Sequence, residues 1–77
     1  MTRDYQEFTE LLVELRAQAG LTQVEVAAIL QFGQSAVSRM EQGVRRVDVI
    51  ELRQLCNVLG ISLTDFVRRL EERLDDT

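Results

Sequence analysis

Four copies of one helix-start signature limit what this chain can fold into more than any other feature of its sequence. In each copy, Asp, Thr or Ser is followed three positions later by Glu or Asp. That is the capping-box pattern, in which the two residues satisfy each other's orphan backbone N–H groups. Glycines at positions 20, 43 and 60 follow apolar stretches and favour the left-handed conformation that ends a helix. The signatures begin at Asp4, Thr22, Asp48 and Ser62.

These starts and stops predict an all-α fold with five helices and no strand. Apolar residues recur at the 3.6-residue spacing of a helix that buries one face. In the first helix this face is Phe8, Leu11, Leu12, Leu15 and Ala19. In the fourth helix, Cys56 lies within the apolar face and is interpreted as a small buried hydrophobe. The predicted helices cover residues 5–19, 23–30, 34–42, 49–59 and 63–74.

Length and composition exclude several classes of protein. A chain of 77 residues predicts one domain, residues 1–77, and its single cysteine excludes an intrachain disulfide. The absence of histidine removes most zinc sites and the serine and cysteine catalytic triads. We therefore predict no enzyme activity, no metal site and no cofactor. No signal-peptide pattern opens the chain and no apolar run is long enough to cross a membrane, which predicts a cytoplasmic protein without membrane contact.

Charge is distributed unevenly along the chain. All nine basic residues are arginine, and thirteen carboxylates give a net charge of −4. Residues 1–30 and 48–77 each have a net charge of −3, whereas residues 31–47 have a net charge of +2. A negative chain repels polyanions on average. Any surface for a polyanion should therefore lie in the middle segment, although ordinary surface charge is the simpler explanation.

The second and third predicted helices form a helix-turn-helix candidate. They are short and are joined by only three residues, 31–33, and the small Ala27 allows them to cross closely. One outer stripe of the third helix contains no carboxylate, only amides, hydroxyls and a guanidinium, which are the groups that read base edges in the major groove. The alternative is an ordinary solvated helix face. The stripe consists of Gln34, Ser35, Ser38, Arg39 and Gln42.

Residues 15–70 resemble the helix-turn-helix domain of the lambdoid phage repressors and Cro proteins, the Xre family. The matching residues include Leu15-Arg16, GLTQ at 20–23, Val26-Ala27, VSRMEQG at 37–43 and LGISL at 59–63. The resemblance implies a compact five-helix bundle that binds double-stranded operator DNA as a symmetric dimer, with the third helix in the major groove. Single-domain members of this kind include restriction-modification controllers and Cro-like repressors. The alternative on the same fold is an antitoxin that binds a partner protein.

The resemblance also implies roles for particular residues. Together with the outer stripe, it predicts base readout by the first part of the third helix and backbone contacts by residues on either side. It further implies a structural ion pair between Arg16 and Glu41, which would remove the repulsion between phosphate and the only acid on the third helix. The predicted base-reading residues are Gln34, Ser35, Ser38 and Arg39, and the predicted backbone contacts are Gln23, Gln42, Arg45 and Arg46.

Two positions depart from the family pattern. Gln31 stands where the family begins its turn with glycine, and a positive φ there would cost about 1 kcal/mol. Gly33 is then expected to serve as the N-cap of the third helix. Val47 stands where the family has a proline before the fourth helix. We expect the turn to be intact but unusual.

The fifth helix is predicted to be the dimer interface. One apolar stripe runs beyond the region that the family core needs, and charged neighbours such as Arg73 are placed to pair across it. The expected arrangement is a two-fold dimer that binds a palindromic operator. The alternative is that Leu70 and Leu74 fold back on the first helix. The predicted interface residues are Phe66, Val67, Leu70 and Leu74.

Overall fold

The computed structural model describes residues 1–75, and the prediction of an all-α, five-helix fold is confirmed. The helices α2, α3 and α4 have the predicted bounds, and those of α1 and α5 differ by one or two residues. None of the helices described is long and apolar enough to cross a membrane. The final two residues, which belong to the predicted domain 1–77, lie outside the described part. The helices are α1 (Arg3–Gln18), α2 (Gln23–Leu30), α3 (Gln34–Gln42), α4 (Val49–Leu59) and α5 (Leu63–Asp75).

Two predicted capping boxes are present in full. The Thr22 hydroxyl accepts the backbone N–H of Glu25 at 3.1 Å, and the Glu25 carboxylate accepts that of Thr22 at 2.9 Å. Asp48 and Glu51 repeat the exchange at 2.8 and 3.1 Å. At the start of α5, the Ser62 hydroxyl accepts the N–H of Asp65 at 3.0 Å. Local side-chain chemistry therefore sets these three helix starts.

The predicted box at Asp4 is wrong. Helix α1 begins earlier because the Thr2 hydroxyl accepts the backbone N–H of Tyr5 at 3.2 Å, which makes Thr2 the N-cap. Asp4 then lies inside the first turn, where its negative charge is favourable at the positive end of the helix dipole. The helix also ends earlier than predicted, at Gln18, so Ala19 is an exposed C-cap and no part of the buried face.

One hydrophobic core joins all five helices. Leu11, Leu12 and Leu15 of α1 are buried as predicted, and Cys56 is wholly buried on α4. Burial raises the pKa of the Cys56 thiol, since a thiolate would lose its hydration there. The interpretation of Cys56 as a core hydrophobe is confirmed. The other buried apolar residues are Val26, Ala27, Val37, Met40, Leu52, Leu55 and Phe66.

The turn between α2 and α3 has the predicted unusual form. Gln31 adopts the left-handed conformation, with φ 59° and ψ 26°. Gly33 is extended, with φ −67°, and is the N-cap of α3. The backbone N–H of Phe32 closes the turn on the carbonyl of Ala27 at 3.0 Å. The turn is thus intact, and Gln31 takes the strained position that glycine would occupy without cost.

Helix α5 packs against the chain's own α1, which corrects part of the predicted interface. Phe66 is wholly buried and meets the ring of Phe8 edge-on, with centroids 5.7 Å apart. A side chain with no exposed surface cannot form a dimer interface, so the assignment of Phe66 is wrong. Leu70 packs against the same core, in agreement with the alternative prediction that it folds back within its own chain. Val67 remains 44% exposed.

Candidate nucleic-acid interface

Helix α3 presents its polar stripe outward because its opposite face is anchored in the core. Val37 and Met40 are each only 1% exposed, which fixes the rotation of the helix about its axis. Gln34, Ser35 and Arg39 are exposed as a result. Within residues 1–75, their side chains make no hydrogen bond or ion pair, so their polar groups are available to a ligand.

The rest of the stripe is joined by a hydrogen bond along the helix. The Gln42 amide donates to the Ser38 hydroxyl at 3.1 Å, across one turn. Ser38 is half-buried and Gln42 is exposed. The contact fixes the Gln42 side chain against the helix and leaves one of its amide N–H groups and its carbonyl oxygen for other partners.

Glu41, the one carboxylate on α3, is held by two other helices. Arg16 of α1 donates from Nε to Glu41 Oε2 at 2.6 Å and from Nη2 to Oε1 at 3.0 Å. Gln23 of α2 donates its amide Nε2 to the same Oε1 at 2.9 Å. The third Arg16 nitrogen, Nη1, donates to the carbonyl of Leu21 at 2.9 Å. The ion pair implied by the resemblance is therefore present as part of a larger network.

This network is largely shielded from water. The side chains of Arg16 and Glu41 are 19% and 9% exposed. The hydrogen bonds to Glu41 raise the pKa of Arg16 above its ordinary value, so the guanidinium stays charged. Because the carboxylate is paired with a guanidinium, it adds little negative field to the outer face of α3. The network also ties α1 and α2 to α3 and so fixes the orientation of the outer stripe.

The loop from α3 to α4 is bonded directly to the last turn of α3. Gly43 adopts a positive φ of 79°, which turns the chain back on the helix. The backbone N–H groups of Val44 and Arg45 then both donate to the carbonyl of Arg39, at 3.1 and 3.2 Å. The two arginines of this loop are thereby held at the C-terminal end of the outer stripe.

Arg45, the first of these arginines, is paired within the chain. Its Nη2 and Nη1 donate to the two carboxylate oxygens of Glu51, at 2.8 and 3.3 Å. The hydrogen bonds from Arg45 and from the backbone N–H of Asp48 lower the pKa of Glu51 below its ordinary value. Glu51 therefore closes the capping box of α4 and neutralises Arg45 at the same time.

Arg46, the second arginine, has a different environment. Its guanidinium carbon lies 4.3 Å from the centroid of the Tyr5 ring, and the residue is exposed. No carboxylate of residues 1–75 pairs with it. Arg39 and Arg46 are thus the two cations of residues 31–47 that keep an uncompensated charge at the end of α3.

Tyr5 and Glu51 are neighbours of the predicted site that were not predicted from the sequence. Glu51 carried a usable signal, because a capping-box glutamate six residues after an arginine can reach back to both the cap and the arginine. Tyr5 carried none, since its contact with Arg46 joins positions 41 residues apart and depends on how α1 packs.

Comparison with known proteins agrees with this architecture. The helix-turn-helix family profile matches residues 12–66. An uncharacterized HTH-type transcriptional regulator, y4dJ, of Sinorhizobium fredii (strain NBRC 101917 / NGR234) is 41% identical over 58 residues, covering 75% of each chain. The solved structure of an XRE-family like protein from Pseudomonas syringae pv. tomato str. DC3000 superposes with a TM-score of 0.85 at 41% identity. This match covers 91% of the present chain and 85% of the other.

Proposed function

The chain belongs to the XRE-type helix-turn-helix family, and we propose that it is a transcriptional regulator that binds a specific double-stranded DNA sequence. In this proposal α3 enters the major groove, and Gln34, Ser35, Ser38 and Arg39 contact base edges. Gln23, Gln42 and the loop after α3 contact the phosphate backbone, which sets the register of the protein on the duplex. The protein performs no chemistry on the DNA.

The observation that carries this proposal is the composition of the outer face of α3. Its exposed side chains are amides, hydroxyls and one guanidinium, and the one carboxylate of the helix is paired on the inner side. Such a face offers donors and acceptors to bases without repelling phosphate. A face evolved only for solubility has no need to remove its carboxylate in this way.

Gln23 fits the proposed role in two ways. One amide N–H of Gln23 is used on Glu41, and the second remains for a phosphate oxygen. The bond to Glu41 also fixes the amide plane, which lowers the entropy lost when a phosphate is bound. Gln23 therefore links the position of α3 to the position of the backbone.

The proposal includes a two-fold homodimer that binds a palindromic site. A dimer would place two copies of α3 about 34 Å apart, one turn of B-DNA, and so read two half-sites. The candidate surface on α5 is centred on Val67, which is 44% exposed, because Phe66 and Leu70 pack into the chain's own core. Sedimentation of the Val67→Glu variant tests it, with Val24→Glu on α2 as a matched control, since Val24 is 52% exposed.

If the native chain sediments as a dimer and Val67→Glu leaves that dimer intact, α5 is not the interface. The next surface to vary is then Val49 and Ile50 on the first turn of α4, which are 61% and 64% exposed. A native chain that remains monomeric on its preferred duplex would contradict the dimer altogether.

The first experiment on DNA binding is selection of bound sequences from a random duplex library. A recovered palindrome with two half-sites supports the proposal, and recovery of no preferred sequence contradicts it. Capture of a protein partner in place of DNA would instead favour the antitoxin alternative.

Arg39→Ala then tests base readout on the selected sequence. We expect a loss of roughly 1–3 kcal/mol in binding free energy and a relaxed preference at one base pair. The matched control is Arg69→Ala on α5, which removes the same charge from an exposed position outside the proposed interface with DNA. Equal weakening of specific and random duplexes by Arg39→Ala would make Arg39 a phosphate contact and contradict its assignment to bases.

A further inference from the structure

We propose that Arg46, held by stacking on Tyr5, is the phosphate contact of the α3–α4 loop, and that Arg45 is not. Tyr5 is then a positioning residue that acts on DNA only through Arg46. This inference rests on the proposed DNA binding and assigns different roles to two adjacent arginines that have the same charge.

Arg45 is poorly placed to bind phosphate because three of its five N–H donors are already used. Both of its terminal nitrogens are bonded to Glu51, and Nη1 is also 3.4 Å from the carbonyl of Arg46. A phosphate bound through both terminal nitrogens would have to displace a carboxylate that is itself fixed by the capping box of α4. The paired charge also exerts little attraction on a polyanion.

Arg46 has the opposite properties. Stacking uses the face of the guanidinium, whereas its N–H donors lie in the plane and point from its edge. The guanidinium carbon of Arg46 lies 4.3 Å over the centre of the Tyr5 ring, and within residues 1–75 none of its N–H groups donates a hydrogen bond, so its donors remain available. An arginine that is already ordered loses less side-chain entropy on binding than a free one.

Tyr5 is itself held firmly enough to serve as a platform. Its ring lies 5.1 Å from that of Phe8, and Phe8 meets the wholly buried Phe66 at 5.7 Å. Its backbone N–H is bonded to the Thr2 hydroxyl, so the early start of α1 places Tyr5 in the first turn of the helix. A row of three aromatic rings thus connects Arg46 to the core.

The location of Arg46 agrees with a backbone contact. The loop is bonded to the carbonyl of Arg39, so Arg46 follows directly after the outer stripe of α3. Phosphates line both sides of the groove that a recognition helix occupies, and contacts from residues next to that helix fix its register. A cation held at the end of α3 is suitably placed for this purpose.

The salt dependence of binding separates the two arginines. On the selected duplex, Arg46→Ala should reduce the slope of log K against log salt by about one unit. Arg45→Ala should leave the slope unchanged, because its charge is already neutralised. A reduced slope in Arg45→Ala with an unchanged slope in Arg46→Ala would overturn the inference.

A double-mutant cycle tests the role of Tyr5. Tyr5→Leu should weaken binding about 3-fold, the size of an exposed cation–π contact, with the salt slope unchanged. In the Arg46→Ala background, the same substitution should have no effect on binding. Tyr5→Phe is the matched control, since it keeps the ring and removes only the buried hydroxyl, which has no hydrogen-bond partner. It should bind DNA as the native chain does.

Arg46→Lys provides a second measurement if Tyr5→Leu folds poorly. Lysine keeps the charge but has no planar guanidinium and makes a weaker contact with the ring, so the salt slope should remain while affinity falls by less than about 3-fold. Lysine equal to arginine in affinity would overturn the stacking role. Tighter binding by Tyr5→Leu would also overturn it, because Tyr5 would then hold Arg46 away from DNA. Failure of the native chain to bind any duplex would contradict the proposed DNA binding. That result is distinct from any outcome of the Arg46 and Tyr5 variants.

Discussion

Two charge clusters that share helix α1 have reversed compositions. Between α1 and α5, Arg73 donates to three carboxylates, those of Glu7, Glu10 and Glu14, at 2.9, 3.1 and 2.8 Å. Between α1, α2 and α3, one carboxylate, Glu41, accepts from two donors, Arg16 and Gln23. The first cluster has an excess of negative charge, whereas the second is neutral.

This contrast explains how a chain with a net charge of −4 can present a face to DNA. The excess carboxylates of the first cluster all belong to α1, and none of them lies on α3. Near that stripe, Glu41 and Glu51 are both paired with arginine, and Arg39 and Arg46 keep their charge. The field at one face depends on where the charges lie and on their pairing more than on their sum.

The largest effect is expected from breaking the neutral cluster. Arg16→Met removes the partner of a carboxylate that is only 9% exposed, which should lower the free energy of unfolding by about 3 kcal/mol. A small domain often has only about 5 kcal/mol in total, so the midpoint of urea unfolding should fall steeply.

The double variant Arg16→Met, Glu41→Met is the control for this prediction. Removing both charges should recover most of the lost stability, since a buried pair can be replaced by apolar groups at little net cost. A double variant no more stable than Arg16→Met would show that the loss came from packing of the Arg16 stem and not from the unpaired charge.

A smaller effect is expected from the acidic cluster. Arg73→Gln leaves three carboxylates facing one another in a partly exposed site, which should lower the free energy of unfolding by about 1 kcal/mol. Because added salt screens this repulsion, the deficit should shrink as the salt concentration rises. Arg69→Gln, in an exposed position on the same helix, should change stability less. A deficit that does not depend on salt would indicate lost packing between α1 and α5.

The smallest effect concerns the pH dependence of the Arg45–Glu51 pair. Because the pKa of Glu51 is lowered in the folded state, its stabilisation is present above the unfolded value of about 4.3 and is lost as pH falls through the lower folded value. As the pH is lowered from neutral, the free energy of unfolding should therefore fall less for Glu51→Gln than for the native chain. Parallel stability–pH curves for the two proteins, measured by urea unfolding, would contradict the assignment.

Local chemistry made much of the fold predictable. The boxes at Thr22 and Asp48 and the glycines at 43 and 60 act within a few residues of the chain, so their spacing alone locates the helix ends. The start of α1 also depends on local capping, but its N-cap is Thr2 and not the predicted Asp4. Thr2 and Asp4 can both serve as N-caps, and the backbone N–H of Tyr5 is bonded to the hydroxyl of Thr2.

The candidate site was predictable where it depends on helical periodicity. The outer stripe of α3 follows from the spacing of its side chains once Val37 and Met40 point inward. The pair of Arg16 and Glu41 came from the family resemblance and not from spacing, because its partners are 25 residues apart. Its further contact with Gln23 needed the packing of three helices.

The sequence alone therefore determined the helices, the caps at Thr22, Asp48 and Ser62 and the polar stripe, since each depends on neighbours in the chain. Only the tertiary structure decided how the distant charges are paired: Arg73 is neutralised by three glutamates of α1, and Arg46 by none of the carboxylates described. It also placed Phe66 in the core and left Val67 exposed, although the two are adjacent in sequence. The physical reason is that pairing and burial depend on distances across packed helices, which no local spacing fixes.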